Sequence, residues 1–290
     1  MKKYFRLMRP YQWLKQALVF MPVLSLGRSI DTKEISLAFL AAMTFTFAAS
    51  IVYALNDISD AEKDKLDPFR AKRPLASGAI SIVGALIFIF VNCVILFSLI
   101  CLFSSEMFKS LILIAVYIIV NIIYSSCELK NLKIIGVILV AVGYPIRFAF
   151  GCTFLGIQIS IWAMVLLTQL ALFMLGIKRY QRAVRTNTDP KVQANNEFWL
   201  LATIVFVAFF ASTYSNFISS PVAQGVWGNT ALLFSTIPIM LSVARVIEIG
   251  TNPKRIKESD ITDVLYKDIF LVLLSAIYML IMLLGSLTSG

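Results

Sequence analysis

Long apolar runs recur along the chain, separated by short clusters of charged and small polar residues. Runs of membrane-spanning length lie near 12–27, 35–55, 80–103, 108–127, 132–154, 157–177, 197–219, 228–249 and 268–288. A helix rises about 1.5 Å per residue and bilayer hydrocarbon is about 30 Å thick, so about 20 apolar residues cross it. The pattern predicts an all-α fold, a polytopic membrane helical bundle of about nine transmembrane helices. The first run is the shortest and contains Lys15. An odd number of spans puts the two termini on opposite sides of the membrane.

The cations between the runs orient the bundle. With the N-terminus cytoplasmic, the inside segments carry 22 of the 26 Lys and Arg residues. The outside loops hold Arg28, Lys33 and Lys109, and Arg147 falls within a span. Positively charged loops stay in the cytoplasm, so this bias predicts a multi-pass protein of the cell inner (cytoplasmic) membrane. The longer polar stretches, near 56–79, 128–133, 178–196 and 250–267, then all face inside. The outside connections are short. Any chemistry is expected at the cytoplasmic face of a single integral-membrane domain, 1–290.

Composition supports this reading and narrows it. The chain is 59% hydrophobic and only 14% charged, whereas a soluble domain carries about 25% charge. The net charge of +10 reads as topology and attraction to anionic lipid rather than nucleic-acid binding. The basic start "MKKYFRLMRPYQWLKQ" is not followed by an uninterrupted apolar region with a small-residue cleavage site, so no cleavable signal peptide is expected. Cys93, Cys101, Cys127 and Cys152 lie in or at the ends of apolar runs and fit no zinc or redox spacing. Histidine is absent, which excludes Ser-His-Asp hydrolysis and every other mechanism that needs an imidazole.

One stretch breaks the hydrocarbon pattern: "IVYALNDISDAEKDKLDPFRAKRPLASGAI", Ile51 to Ile80. Asn56 and Asp57 end the second apolar run. Asp57, Asp60 and Asp64 are spaced by three and four, so a continuing helix stacks them on one face. Like charges so arranged destabilise a bare helix and become favourable when a divalent cation sits between them. Magnesium takes carboxylate oxygens and commonly bridges to substrate phosphates. Asp67 precedes Pro68, which biases it out of the helix. Lys72 and Arg73, just before Pro74, suit the remaining oxygens of a diphosphate. A solvated loop whose charges pair with each other is the alternative.

The segment "NDISDAEKDKLDPFRAKRP" resembles the NDxxDxxxD signature of the UbiA superfamily of intramembrane prenyltransferases. Further segments resemble its polyprenyl-phosphate phosphoribosyltransferase branch, known in mycobacteria as decaprenyl-phosphate phosphoribosyltransferases. These are "RPYQWLKQALVFMPVL", "YSSCELKNLKIIGVILVAVGYPIRFAFG", "LFMLGIKRYQR" and "TNPKRIKESDITDVLYKDIFL". The resemblance implies an enzyme that uses magnesium held by Asp57, Asp60 and Asp64. Its substrates would be a polyprenyl phosphate with its tail in the bilayer and phosphoribosyl diphosphate. The product would be a polyprenyl-phosphoribose, which in some bacteria feeds cell-wall sugars. Gln16 stands where the opening motif has Asn, and Gly136 stands where an acidic residue is usual. With only Glu128 nearby, Lys130 and Lys133 are expected to bind phosphate directly on that side.

Other residues complete the candidate set. Arg147 lies mid-span, where a charge costs roughly 2.5–3.5 kcal/mol on insertion scales, so it calls for a polar cavity and a partner; snorkelling is the alternative. Arg9, Trp13 and Lys15 recur at helical spacing at the membrane entry, either as substrate contacts or as interfacial anchors. Asn56 and Tyr124 are candidate substrate contacts, with an aromatic-belt role as the alternative for Tyr124. Lys178 and Arg179 end the sixth apolar run on the same predicted side as the aspartates. Two other functions compete. One, on the same fold, joins a prenyl diphosphate to an aromatic or other small acceptor. The other is a lipid-binding or transport protein, which predicts polar residues through several spans where these runs are clean.

Overall fold

A computed structural model of the chain describes residues 2–24, 30–66, 71–126, 132–185, 190–252 and 267–288. The helices are α1 (Lys2–Leu7), α2 (Ala17–Leu24), α3 (Thr32–Lys65), α4 (Ile82–Phe103), α5 (Met107–Ser126), α6 (Lys133–Leu155), α7 (Ile161–Arg185), α8 (Pro190–Ile218), α9 (Pro221–Trp227), α10 (Asn229–Thr251) and α11 (Ile269–Thr288). A 3₁₀ helix, Pro10–Gln16, joins α1 to α2. Among the described residues eight helices are long and apolar enough to cross a membrane: α3 to α8, α10 and α11. They coincide with the last eight runs read from the sequence.

The first run, 12–27, differs from expectation. Its described part, residues 12–24, is not one α-helix but the 3₁₀ segment followed by α2. The cause is local. Pro10 opens the 3₁₀ turn and Pro22 lies inside α2, so continuous α hydrogen bonding is interrupted.

The chain divides into two compact units, residues 1–26 with 30–164, and essentially 165–290. In the first unit α3 and α6 are the inner helices. More than half of their apolar windows is buried, against 17% for α4 and α5. Phe45, Ile51 and Val52 of α3 pack with Phe150 and Phe154 of α6, with Ile100 of α4 and with Tyr117 of α5. The outward faces of α4 and α5 expose Phe90, Phe97, Ile112 and Ile119, as lipid-facing helices do.

Close approach of α2 to α6 depends on Gly151. A Cβ there would lie 2.2 Å from the Val19 carbonyl oxygen. Helix α4 starts at Ser81, whose hydroxyl accepts from the Gly84 N–H. Helix α6 stops at Gly156, left-handed at φ 71°, whose N–H donates to the Cys152 carbonyl.

In the second unit Phe173 and Ile177 of α7 pack with Phe210 of α8 and with Val243, Val246 and Ile249 of α10. Helix α11 lies along α10, and Asp268 both caps it, accepting from the Leu271 N–H at 3.1 Å, and binds Arg245 of α10 at 2.8 Å.

Candidate active site

Helix α3 has 34 residues, so it is about 51 Å long and outruns bilayer hydrocarbon of about 30 Å. The apolar residues of its middle are buried in the core, and its polar end carries the aspartates beyond them. Asp57 and Asp64 are both buried, each 2% exposed, and Asp60 is half-buried. A pair of buried carboxylates is costly unless charged partners accompany it.

Two arginines supply that charge. Arg73 Nη1 donates to Asp64 Oδ2 at 2.6 Å and lies 3.4 Å from Asp57 Oδ1, so one guanidinium bridges the two carboxylates. Arg9 Nη2 donates to the same Asp57 oxygen. Its guanidinium also lies over the Tyr53 ring, 5.0 Å from the centroid.

Local structure aims both arginines. Arg9 sits in the left-handed region, φ 50° and ψ 65°, between α1 and the 3₁₀ helix. Its N–H donates to the Arg6 carbonyl, and the Trp13 indole donates to Met8 O at 3.2 Å, which ties the bend together. Trp13, an expected anchor or contact, is thus part of the device that sets Arg9. Arg73 heads a tight turn in which its carbonyl accepts from Ser77 N–H and that of Pro74 accepts from Ile80 N–H. Leu75 and Ile80 of this turn are buried with Leu7 of α1, Ala54 of α3 and Ala85 of α4. An apolar cluster therefore pins both arginine-bearing segments to the end of α3.

Above this pairing lies a cleft of about 360 Å³ lined by Arg6, Arg9, Pro10, Tyr11, Asp57, Lys72, Arg73 and Pro74. Four cations and one carboxylate face it, so its lining is predominantly cationic. Arg6 and Tyr11 carried no signal in the sequence beyond the basic start of the chain.

The remaining candidates are distributed. Asn56 accepts from Ser125 of α5 at 2.7 Å, which joins α5 to α3 one residue before Asp57. Tyr124, the neighbour of Ser125, is half-buried. Lys15 Nζ donates to Gln12 Oε1 at 3.3 Å within the 3₁₀ segment. Gly136 is buried near the start of α6. Lys178 and Arg179 are half-buried on α7, in the second unit. Lys130, Glu128 and Asp67 lie outside the described residues, as does 253–266 of the last polar loop.

Arg147 does not snorkel. It is 6% exposed and enclosed in the first unit. Its Nε donates to Gln16 Oε1 at 3.3 Å, Nη2 to the Tyr117 hydroxyl at 3.0 Å, and Nη1 to the Gly143 carbonyl. The rings of Tyr117 and Phe45 lie 5.0 and 5.2 Å from the guanidinium carbon. These partners are neutral groups and aromatic faces, at a position where the sequence called for a polar cavity and a partner. Gln16, the departure from the opening motif, is one of those partners.

Among the described residues no cluster of three or more acidic, Cys or His side chains is gathered to hold a metal. The donor chemistry nevertheless fits magnesium: hard carboxylate oxygens on one helical face, beside a cationic cleft. In this arrangement the Arg73 guanidinium takes the position between Asp57 and Asp64.

A multi-pass helical membrane protein with an acidic helix end against a cationic cleft has the features of an intramembrane transferase for phosphorylated substrates. The comparisons with known proteins make the family definite. The UbiA prenyltransferase family matches residues 17–258, and the chain belongs to that family. It is 26% identical over 251 residues to the decaprenyl-phosphate phosphoribosyltransferase of Corynebacterium glutamicum, covering 82% of this chain and 75% of that protein. It is 28% identical over 251 residues to the enzyme of the same name from Mycobacterium tuberculosis, covering 82% and 80%. Its fold resembles a UbiA homolog from Archaeoglobus fulgidus solved with GPP and Mg²⁺, at a TM-score of 0.65 and 17% identity over 99% of both chains.

Proposed function

We propose that the chain transfers the 5-phosphoribosyl group of phosphoribosyl diphosphate to a polyprenyl phosphate at the cytoplasmic face of the inner membrane, releasing diphosphate. The observation that carries this reading is the cleft of Arg6, Arg9, Lys72 and Arg73 over the buried Asp57 and Asp64. It suits a diphosphate leaving group. The similarity to two decaprenyl-phosphate phosphoribosyltransferases over most of the chain supports the choice of donor and acceptor.

In this reading Asp57, Asp60 and Asp64 hold magnesium, which when bound neutralises charge on the departing diphosphate. Arg9, Lys72 and Arg73 bind its outer oxygens, and Arg and Lys suit phosphate for different reasons, planar fork against point charge. An oxygen of the lipid phosphate forms a bond to the anomeric carbon as the bond from that carbon to the diphosphate oxygen breaks. No proton need be removed from the acceptor, because the lipid phosphate is already anionic. A chain without histidine can therefore run the reaction. Lys130, Lys178, Arg179 and Tyr124 remain candidate contacts for the acceptor side, and Arg147 is a positioning residue that fixes Gln16 and Tyr117.

The test is transfer itself. Purified protein is incubated with magnesium, a polyprenyl phosphate and sugar-labelled phosphoribosyl diphosphate, and label is followed into the organic phase. A parallel arm supplies a prenyl diphosphate with ring-labelled 4-hydroxybenzoate, and label is followed into the prenylated product. Label in the first arm and none in the second is the expected result. The reverse result assigns the chain to aromatic prenylation.

A further inference from the structure

The two carboxylates that would hold the metal already carry guanidinium groups. Arg73 bridges Asp57 and Asp64 at 3.4 and 2.6 Å, and Arg9 binds the same Asp57 oxygen as Arg73. We propose that Arg73 and Arg9 hold the site closed to a bare metal ion, so that divalent cation and diphosphate enter this chain as one unit, by an exchange of partners. The inference rests on the reading of Asp57, Asp60 and Asp64 as a metal–diphosphate site, and it holds for either donor.

The argument is one of charge and burial. A divalent cation arriving alone meets a cleft already faced by four cations and one carboxylate. To reach Asp57 and Asp64 it must displace Arg73. The displaced guanidinium, 27% exposed in its present place, would then have neither carboxylate nor full hydration. A diphosphate arriving alone meets the converse difficulty. Drawing Arg9 and Arg73 to itself leaves Asp57 and Asp64, each 2% exposed, short of the positive charge that now stabilises them. When both arrive together, the cation takes the carboxylates and the diphosphate takes the two arginines. Every buried charge keeps a partner before and after the exchange. The left-handed bend at Arg9 and the compact turn after Arg73 keep each guanidinium anchored near the carboxylates throughout.

The prediction is a positive coupling between metal and diphosphate, and such couplings are reciprocal. Equilibrium dialysis of the detergent-purified full chain measures it with manganese and inorganic pyrophosphate as probes, each alone and both together, counting protein-retained ligand above a protein-free control. In the wild type each probe is expected to tighten the retention of the other by about tenfold or more. Arg73→Gln, which removes the competing charge, is expected to bind manganese alone more tightly than the wild type and to lose most of the coupling. Equal retention of manganese with and without pyrophosphate in the wild type overturns the proposal, and needs no variant to be seen. So does an Arg73→Gln protein that folds but gains no affinity for manganese alone. If the wild type retains neither probe in any combination, the reading of the aspartates as a metal–diphosphate site fails, and the exchange fails with it.

Discussion

Arg9 carries two functions that substitution can separate. Glycine aside, it alone among the described residues has a positive φ, and its side chain holds Asp57. A residue with a Cβ pays about 1–2 kcal/mol in the left-handed region. Glycine escapes that cost, but it also loosens the unfolded chain, which takes back about 0.4–1 kcal/mol. Arg9→Gly and Arg9→Ala both delete the guanidinium, so the loss of the ion pair is common to both. What differs is the backbone, and the balance leaves Arg9→Gly more stable than Arg9→Ala by about 1 kcal/mol. In a chain of 290 residues that is about 2 °C in Tm. Thermal unfolding in one detergent, monitored by a thiol-independent dye, measures it. In the transfer assay both variants should raise the KM for the diphosphate donor at least about tenfold, since a charge-assisted contact is worth about 1.5–3 kcal/mol. An Arg9→Ala protein as stable as Arg9→Gly refutes the strained bend. Unchanged KM in both refutes Arg9 as a donor contact.

Further outcomes follow from the same geometry. Gly151→Ala sets a Cβ 2.2 Å from the backbone of Val19, so α2 must move off α6; the expected loss is about 1–3 kcal/mol, read as a lower Tm, and a neutral result contradicts the close packing. Arg147→Lys keeps the charge but cannot reach Gln16, Gly143 and Tyr117 together, and one buried group left unpaired costs about 1–3 kcal/mol; Arg147→Lys unfolding at the wild-type temperature would show that the node is not structural. Asp60→Ala and Asp64→Ala should each lower turnover about a hundredfold or more, an effect of about 3 kcal/mol, with chelation by EDTA abolishing it in the wild type. Full turnover in EDTA contradicts the metal reading.

The eight long helices were legible because each is a self-contained apolar run, and hydrocarbon permits no unpaired backbone within it. The segment 12–27 was not, because its apolar composition masks the 3₁₀ turn that Pro10 opens just before it and Pro22 within it. The acidic triplet and Lys72–Arg73 stood out as polar residues at a helical spacing in an apolar chain. Their mutual pairing entered only as the alternative reading of a solvated loop, since the turn that returns Arg73 to Asp64 is built from tertiary contacts of Leu75 and Ile80. Arg9 was readable as a basic residue at the membrane entry, but a left-handed arginine has no sequence signal as a glycine would. Mid-span Arg147 announced its need for polar company. The company came from Gln16, 131 residues away, and no local pattern points there.

The most direct test of the central claim uses phosphoribosyl diphosphate with one label in the ribose and another in the diphosphate. With a polyprenyl phosphate, magnesium and the wild-type chain, the account predicts that the ribose label enters the lipid phase while the diphosphate label stays in water, in equal molar amounts. Both labels entering the lipid, or neither entering while a prenyl diphosphate and an aromatic acceptor give product, contradicts it.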